Sequence, residues 1–379
     1  MNSSTLARTM KYINHFGKDR SRSKGDTADI SQRKKISDGG GQNASVAIAM
    51  STDDILSLIL SFLSFHDLTQ CINVSKTWND AMAGVDDVSI DISNSYHTNH
   101  REYAQKLRLV GKSLGQNLKR LDIQCSKYVD DDVRDVLRNE ILPKCNKLRY
   151  FSIRMNLNLG TMLEPLGKLS SLETLEINQC CFGRTEEFLL LLKNKPQLKI
   201  LRLNRVTFGF PNEESIVTFY SEIGKLHSLR ELVLKTRSVR CESDHQQCWH
   251  ALFLKLNQLR VLEVNEIDDD ALDIISKHSP HLHTLHAQNS IRTSMPGILK
   301  TLKACPIKIL KIPGEVRFQK ISVKDIRDMC QANLTLRLVG LYMIPDPKGV
   351  SGKFTFGELK DAALEDSNGR VNMIFRHYY

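Results

Sequence analysis

The sequence predicts an α/β chain in two structured parts: a short three-helix unit, then a curved solenoid with parallel strands on its concave face. Two observations carry this. A phrase, apolar-x-x-apolar-x-apolar, recurs nine times between Val85 and Ile312. Just upstream, residues 53–78 hold more apolar surface than so short a unit can bury.

Seven of the nine residues from Ile55 to Leu63 are large and apolar (Ile55, Leu56, Leu58, Ile59, Leu60, Phe62, Leu63). A helix built from them is oily around most of its circumference rather than along one stripe. Nine residues fall well short of the ~20 that span a bilayer, so protein contact is the remaining cover. Ser51 is placed to cap this helix, with Asp54 completing a capping box. Asp67 is placed to start a second helix in which Leu68, Cys71 and Ile72 share a face, and a third short helix would hold Val74 and Trp78, four residues apart. Three such helices make a core too small to stand without support from outside.

This run resembles the F-box, the adaptor-binding motif of SCF-type ubiquitin ligases. The resemblance covers residues 51–82 and rests on Asp54-Ile55-Leu56, Ile59-Leu60, Leu63, Asp67-Leu68 and the spacing of Val74 and Trp78, in the family's order and without insertion. It implies that Ile55, Leu56, Ile59, Leu60, Leu63, Leu68, Val74 and Trp78 dock on the ligase adaptor and, through it, reach a cullin. The chain departs from the family at Ser51-Thr52, where Leu-Pro is usual. That proline helps shape the adaptor contact in the family, so the departure bears on adaptor affinity.

The nine phrases begin at Val85, Leu118, Leu148, Leu172, Leu198, Leu229, Leu259, Leu282 and Ile307. Their starts lie 23 to 33 residues apart with a mean near 28, within or near the ~20–29 residue period of leucine-rich repeats. Each phrase forms a short strand whose second and third apolar residues point inward, and the chain returns as a helix. Residues 267–280 read as such a helix, with acids at its start and a proline after its end. Similar endings occur at Cys145, Lys195 and Cys305. These look like the cysteine-containing leucine-rich repeats that commonly follow an F-box, with the signature cysteine kept patchily, as at Cys180. No repeat buries its own face, so stability comes from stacking neighbours.

Residues alternating with the buried ones point to the other face of the strands. Among them Arg120, Asp122, Tyr150, Arg154, Glu176, Arg202, Glu231, Lys235, Glu263 and His286 are the candidate substrate surface, a mixed polar face with a few apolar footholds suited to a protein partner. Leu334–Leu338 and Val371–Phe375 read as strands of further irregular repeats or of a C-terminal cap. The expected domains are a disordered basic tail (1–48), the F-box-like unit (49–83), the repeats (84–345) and the cap (346–379).

The net charge of +10 raises nucleic acid as a partner. Half of that excess lies in residues 1–45, with nine bases against four acids, while the expected concave face carries five bases against four acids. A groove tracking phosphates would hold one sign, so nucleic acid is not the expected ligand of the solenoid. The acid-free first eighteen residues bear a faint likeness to a mitochondrial presequence, and Arg33-Lys-Lys35 is a marginal nuclear-import signal. With no hydrophobic run long enough for a signal peptide or a membrane span, a cytosolic or nuclear protein is expected.

Nine cysteines spread over several repeats fit small core residues in a reducing compartment, with no disulfide framework. Cys241, His245, Cys248 and His250 have ligand types that zinc accepts, in a spacing that matches no standard site, so no metal is expected. Gly111-Lys112-Ser113 resembles the end of a P-loop whose upstream glycine would sit at Lys106. No Gly-x-Ser-x-Gly, His-Glu-x-x-His or other catalytic pairing stands out. The expectation is a non-catalytic receptor without a cofactor, holding a protein substrate for ubiquitin transfer by other subunits. Two alternatives stay open: a leucine-rich scaffold or regulator whose helical unit caps the solenoid, and an RNA-associated protein using its basic tail.

Overall fold

The structure is a computed structural model. It describes residues 52–91, 100–114, 117–125, 131–156, 158–236, 245–289, 292–313, 315–316, 319–343 and 356–377, all within one compact unit, Met50–Tyr379. The basic tail, with the expected Ser51 cap, lies outside the described residues.

Three short helices lead: α1 (Thr52–Ser61), α2 (Phe65–Cys71) and α3 (Lys76–Ala81). The second starts earlier than the sequence suggests. Ser64, not Asp67, is its N-cap; the Ser64 hydroxyl accepts from the Asp67 backbone N–H and donates to the Asp67 carboxylate at 2.7 Å. The third begins after Ser75, whose hydroxyl accepts from the Trp78 N–H. Val74 therefore lies in the turn before α3 and does not share a helical face with Trp78.

The strands follow as β1 (Asp87–Asp91), β2 (Arg120–Gln124), β3 (Tyr150–Arg154), β4 (Thr174–Asn178), β5 (Cys181–Phe182), β6 (Ile200–Phe208), β7 (Glu231–Thr236), β8 (Val261–Glu266), β9 (Thr284–Asn289), β10 (Ile309–Pro313), β11 (Glu315–Val316), β12 (Gln319–Lys320), β13 (Leu338–Met343) and β14 (Asn372–His377). All but β11 and β12 form one open parallel sheet, in chain order from β1 to β14, with short β5 alongside β6. Every one of the nine phrases ends in a ladder strand. All three apolar positions of each are buried, none more than 5% exposed. Because parallel strands need a crossover, each step returns through a helical segment, and the side chains of strands and helices fill one continuous core.

The turn into each strand carries a second repeated position. Cys145, Lys195, Ser279, Cys305 and Asn333 are all buried there, and four of them tie back to a carbonyl of the preceding turn or helix. The Cys145 thiol donates to Ile141, the Lys195 ammonium to Gly167 at 2.7 Å, the Cys305 thiol to Ser279, and the Asn333 amide to Leu302 and Cys305. Burial without a carboxylate partner pushes Lys195 down to about 8.

The C-terminal segment departs from the expected frame. The strand proposed at Leu334–Leu338 begins only at Leu338; Leu334 is an exposed turn residue, and Leu336, Val339 and Leu341 supply the buried phrase. Helix Phe356–Asp366 and β14 then add one more strand–helix unit, with β14 pairing parallel to β13 over six residues. At the position where the other phrases begin with Leu, Ile or Val, this last one has Arg370. Its guanidinium donates to the carbonyls of Cys330, Asn333 and Leu336.

Candidate functional site

Helix α1 carries two apolar stripes. Leu56 and Leu60, one turn apart, are buried with Phe65, Leu68 and Met82 in the same core as the first strands. The hydroxyl of Ser57 donates to the Ala81 carbonyl at 2.9 Å, pinning α1 to the end of α3. Gly84 makes this approach possible, since a Cβ there would meet the Ser57 hydroxyl at 2.3 Å. Phe65 packs at a tilt against Tyr103 of helix His100–Leu114, ring centroids 5.4 Å apart, and burial pushes the Tyr103 phenol well above its ordinary value. The three helices are thus fastened to the first repeat.

Among the described residues the other stripe has no cover. Ile55, Leu58 and Phe62, at i, i+3 and i+7, are 46%, 49% and 73% exposed, and Val74 is 49% exposed. Of the eight residues expected to dock on a partner, Ile55 and Val74 are open. Ile59, Leu63 and Trp78 are half-buried, with Leu63 and Trp78 packed on the core. Leu56, Leu60 and Leu68 are buried, and their place is the chain's own interior. Leu58 and Phe62 were not in that set. Their exposure follows from which side of α1 meets the first repeat, and a run with apolar residues on every side carries no mark of that choice.

The second surface is the solvent face of the sheet, where strict register aligns side chains in rows. The middle row runs Ser89, Asp122, Ser152, Glu176, Arg202, Val233, Glu263, His286, Lys311, Gly340 and Ile374 across successive strands. At its centre the charges satisfy one another. Arg202 bonds Glu176 and, at 2.6 Å, Glu231. Glu263 accepts from Lys235 at 2.6 Å and meets Nδ1 of His286 at 3.1 Å. The His286 hydrogen bond, followed by the Lys235 pair, holds the Glu263 carboxyl down at about 2. At the N-terminal end the Arg120 guanidinium lies 3.5 Å over the Tyr150 ring and 3.6 Å from Asp87, and Gln124 donates to Asp122. Arg154 is exposed. The ten predicted face residues therefore share one surface, of which His286 alone is buried, at 5% exposure, with its ring stacked 5.1 Å from that of Tyr342.

Chemistry-bearing clusters are few. Cys248 is buried and His250 exposed on helix His245–Phe253, so those two do not share a site; Cys241 lies outside the described residues. Among the described residues no group of His, Cys, Asp or Glu could hold a metal ion, and no helix is long and apolar enough to cross a membrane. Gly111-Lys112-Ser113 lies inside helix His100–Leu114 rather than in a phosphate-binding loop.

Residues 52–87 match the F-box domain family. No curated protein sequence matches the chain. Similar solved structures include a leucine-rich repeat protein of Leptospira interrogans (12% identity, 83% of this chain and 84% of that one, TM-score 0.40). A chain of the Rad7 and Elc1 complex in yeast shows 12% identity over 99% of this chain and 98% of that one, with a TM-score of 0.47. An internalin of Listeria monocytogenes shows 10% identity over 82% and 93%, with a TM-score of 0.39.

Proposed function

We propose that this chain, an F-box domain followed by a leucine-rich repeat solenoid, is a non-catalytic substrate-recognition subunit of an SCF-type ubiquitin ligase. The observation that carries the reading is the uncovered stripe Ile55, Leu58 and Phe62 inside the segment that matches the F-box. Exposed apolar residues grouped on one helix, in a unit otherwise fastened to its neighbour, are what an adaptor would bury. The solvent face of the sheet would hold a protein substrate, and the chain's contribution would be proximity: a tethered substrate is presented at high effective concentration to a transfer centre on other subunits.

The packing of α1–α3 on the first repeat also favours a second reading, a leucine-rich scaffold in which the helices only cap the open end of the solenoid. The two differ in what they require of the outer stripe. Co-purification of the full-length chain with the SCF adaptor, beside a Leu58→Asp/Phe62→Asp variant, separates them. Capture by the parent and loss by a folded variant is the outcome expected of a receptor. No capture by a well-folded parent would leave the scaffold reading in first place.

A further inference from the structure

The solvent face is not uniformly carpeted. Around Gly340 the register places Lys311 on one side and Ile374 on the other, while Leu338 and Tyr342 stand two residues before and after it on the same strand. Gly340 has no side chain, and the aliphatic stem of Lys311 leans over it, with Cγ 3.0 Å from where a Cβ would stand, so the middle of this three-by-three grid is glycine backbone beside that stem. The hollow has a volume of about 130 Å3, with Ile309 at its corner. That is the scale of one ring or branched aliphatic chain, since an apolar cavity of about 150 Å3 holds benzene.

Two features make the hollow a site rather than a gap. Its walls are fixed: the Tyr342 ring is stacked on buried His286, which Glu263 holds from the other side. The cation among its described lining residues, Lys311, is uncommitted. Arg202 and Lys235 are neutralised by carboxylates, whereas among the described residues Lys311 has no ion-pair partner. Arg154, exposed on β3 beside the strand of Glu176, also has no ion-pair partner among the described residues, but it does not line this hollow. An occupant that fills the hollow with an apolar side chain and sets a carboxylate on Lys311 would meet both needs at once.

Resting on the receptor reading above, we infer that this hollow is the substrate-anchoring subsite, and that its occupant is an extended peptide segment presenting a large apolar side chain beside a carboxylate. The test is a random peptide library displayed on phage and panned against the full-length chain. An enriched peptide, labelled with fluorescein, is then titrated against the parent and against Gly340→Leu, Ile374→Asp and Lys311→Glu.

Enriched sequences should pair an aromatic or long aliphatic residue with a nearby Asp, Glu or C-terminal carboxylate. Gly340→Leu and Ile374→Asp should each weaken binding by about tenfold or more, the cost of losing an interface anchor. Lys311→Glu should weaken it similarly and shift preference toward peptides with Lys in place of the acid. No enrichment, enrichment without that pairing, or binding moved less than about twofold by both Ile374→Asp and Lys311→Glu overturns the inference. Chemical denaturation of each variant reports folding, and adaptor capture adds a readout from α1, at the opposite end of the ladder from the hollow. It also separates two failures: adaptor capture without peptide binding sinks the hollow, and peptide binding without adaptor capture sinks the receptor.

Discussion

The outer stripe of α1 and the centre of the sheet's solvent face are both in contact with water, and they treat it differently. On α1, apolar side chains at Ile55, Leu58 and Phe62 stand uncovered. On the sheet, Glu176, Arg202 and Glu231 form one closed group, and Lys235, Glu263 and His286 another. A partner settling on the second surface must break interactions that the chain has already made, or build on them as they stand. A partner settling on the first breaks none and removes apolar area from water at about 25 cal/mol per Å2. The two surfaces differ in whether their interactions are already completed within the chain, not in whether they meet water.

The sharpest way to break that distinction is to move from the outer to the inner side of α1. Leu60→Ala should cost about 2–5 kcal/mol of stability, because the cavity opens in the core shared with the first repeat. Chemical denaturation measures it, and a cost near zero would mean that the inner stripe is not packed as described.

On the outer side, Leu58→Asp/Phe62→Asp should reduce adaptor affinity by on the order of 100-fold, or about 2.7 kcal/mol. Stability should stay within ~0.5 kcal/mol of the parent per substitution. A variant that melts early would show that the stripe is structural.

Glu263 sharpens the other half of the contrast. Its carboxyl titrates at about 2 in the folded chain against an ordinary 4.5. Its folded value is the depressed one, so its contribution is complete above 4.5 and is lost as the pH falls from there toward 2, with a size on the order of 2 kcal/mol. Acid titration of stability should therefore be shallower in Glu263→Gln across that window, and parallel curves would contradict a closed charge group.

The smallest effect belongs to solvent-exposed pairing around Glu164, which Arg138 also approaches at 3.8 Å. Lys168 and Glu164 meet at 2.9 Å one helical turn apart with both side chains largely in solvent. Lys168→Ala should leave the denaturation midpoint within error of the parent. A clear loss, measured by the same denaturation, would erase the difference between solvent-exposed pairing and the network on the sheet.

Much of the architecture was legible in the chain because nine phrases repeat one apolar spacing, and a period-2 strand pattern admits one inward face. The last two units were obscured for local reasons. Leu334 and Leu338 offer a competing frame to Leu336, Val339 and Leu341, and Arg370 replaces the usual aliphatic opening with a guanidinium that serves three backbone carbonyls. The outer surface of α1 was legible as surplus apolar content, while the division of its residues into inner and outer was not. That division is set by contact with residues near Ala81, Gly84 and Tyr103. The hollow at Gly340 had no signature, because it consists of a missing side chain bounded by three strands.

The register of the long ladder also bears on how fast the chain assembles. Neighbouring strands pair residues only 23 to 34 positions apart along the sequence, from β1 to β14. Loop-closure entropy grows with the logarithm of loop length, so the shortest and longest rungs differ by only about 0.3 kcal/mol in that cost. No rung is a bottleneck for the others, and growth can start at any neighbouring pair and zip outward. During synthesis the amino-terminal end emerges first, so the three helices and the strand they lean on can be in place before the far rungs exist.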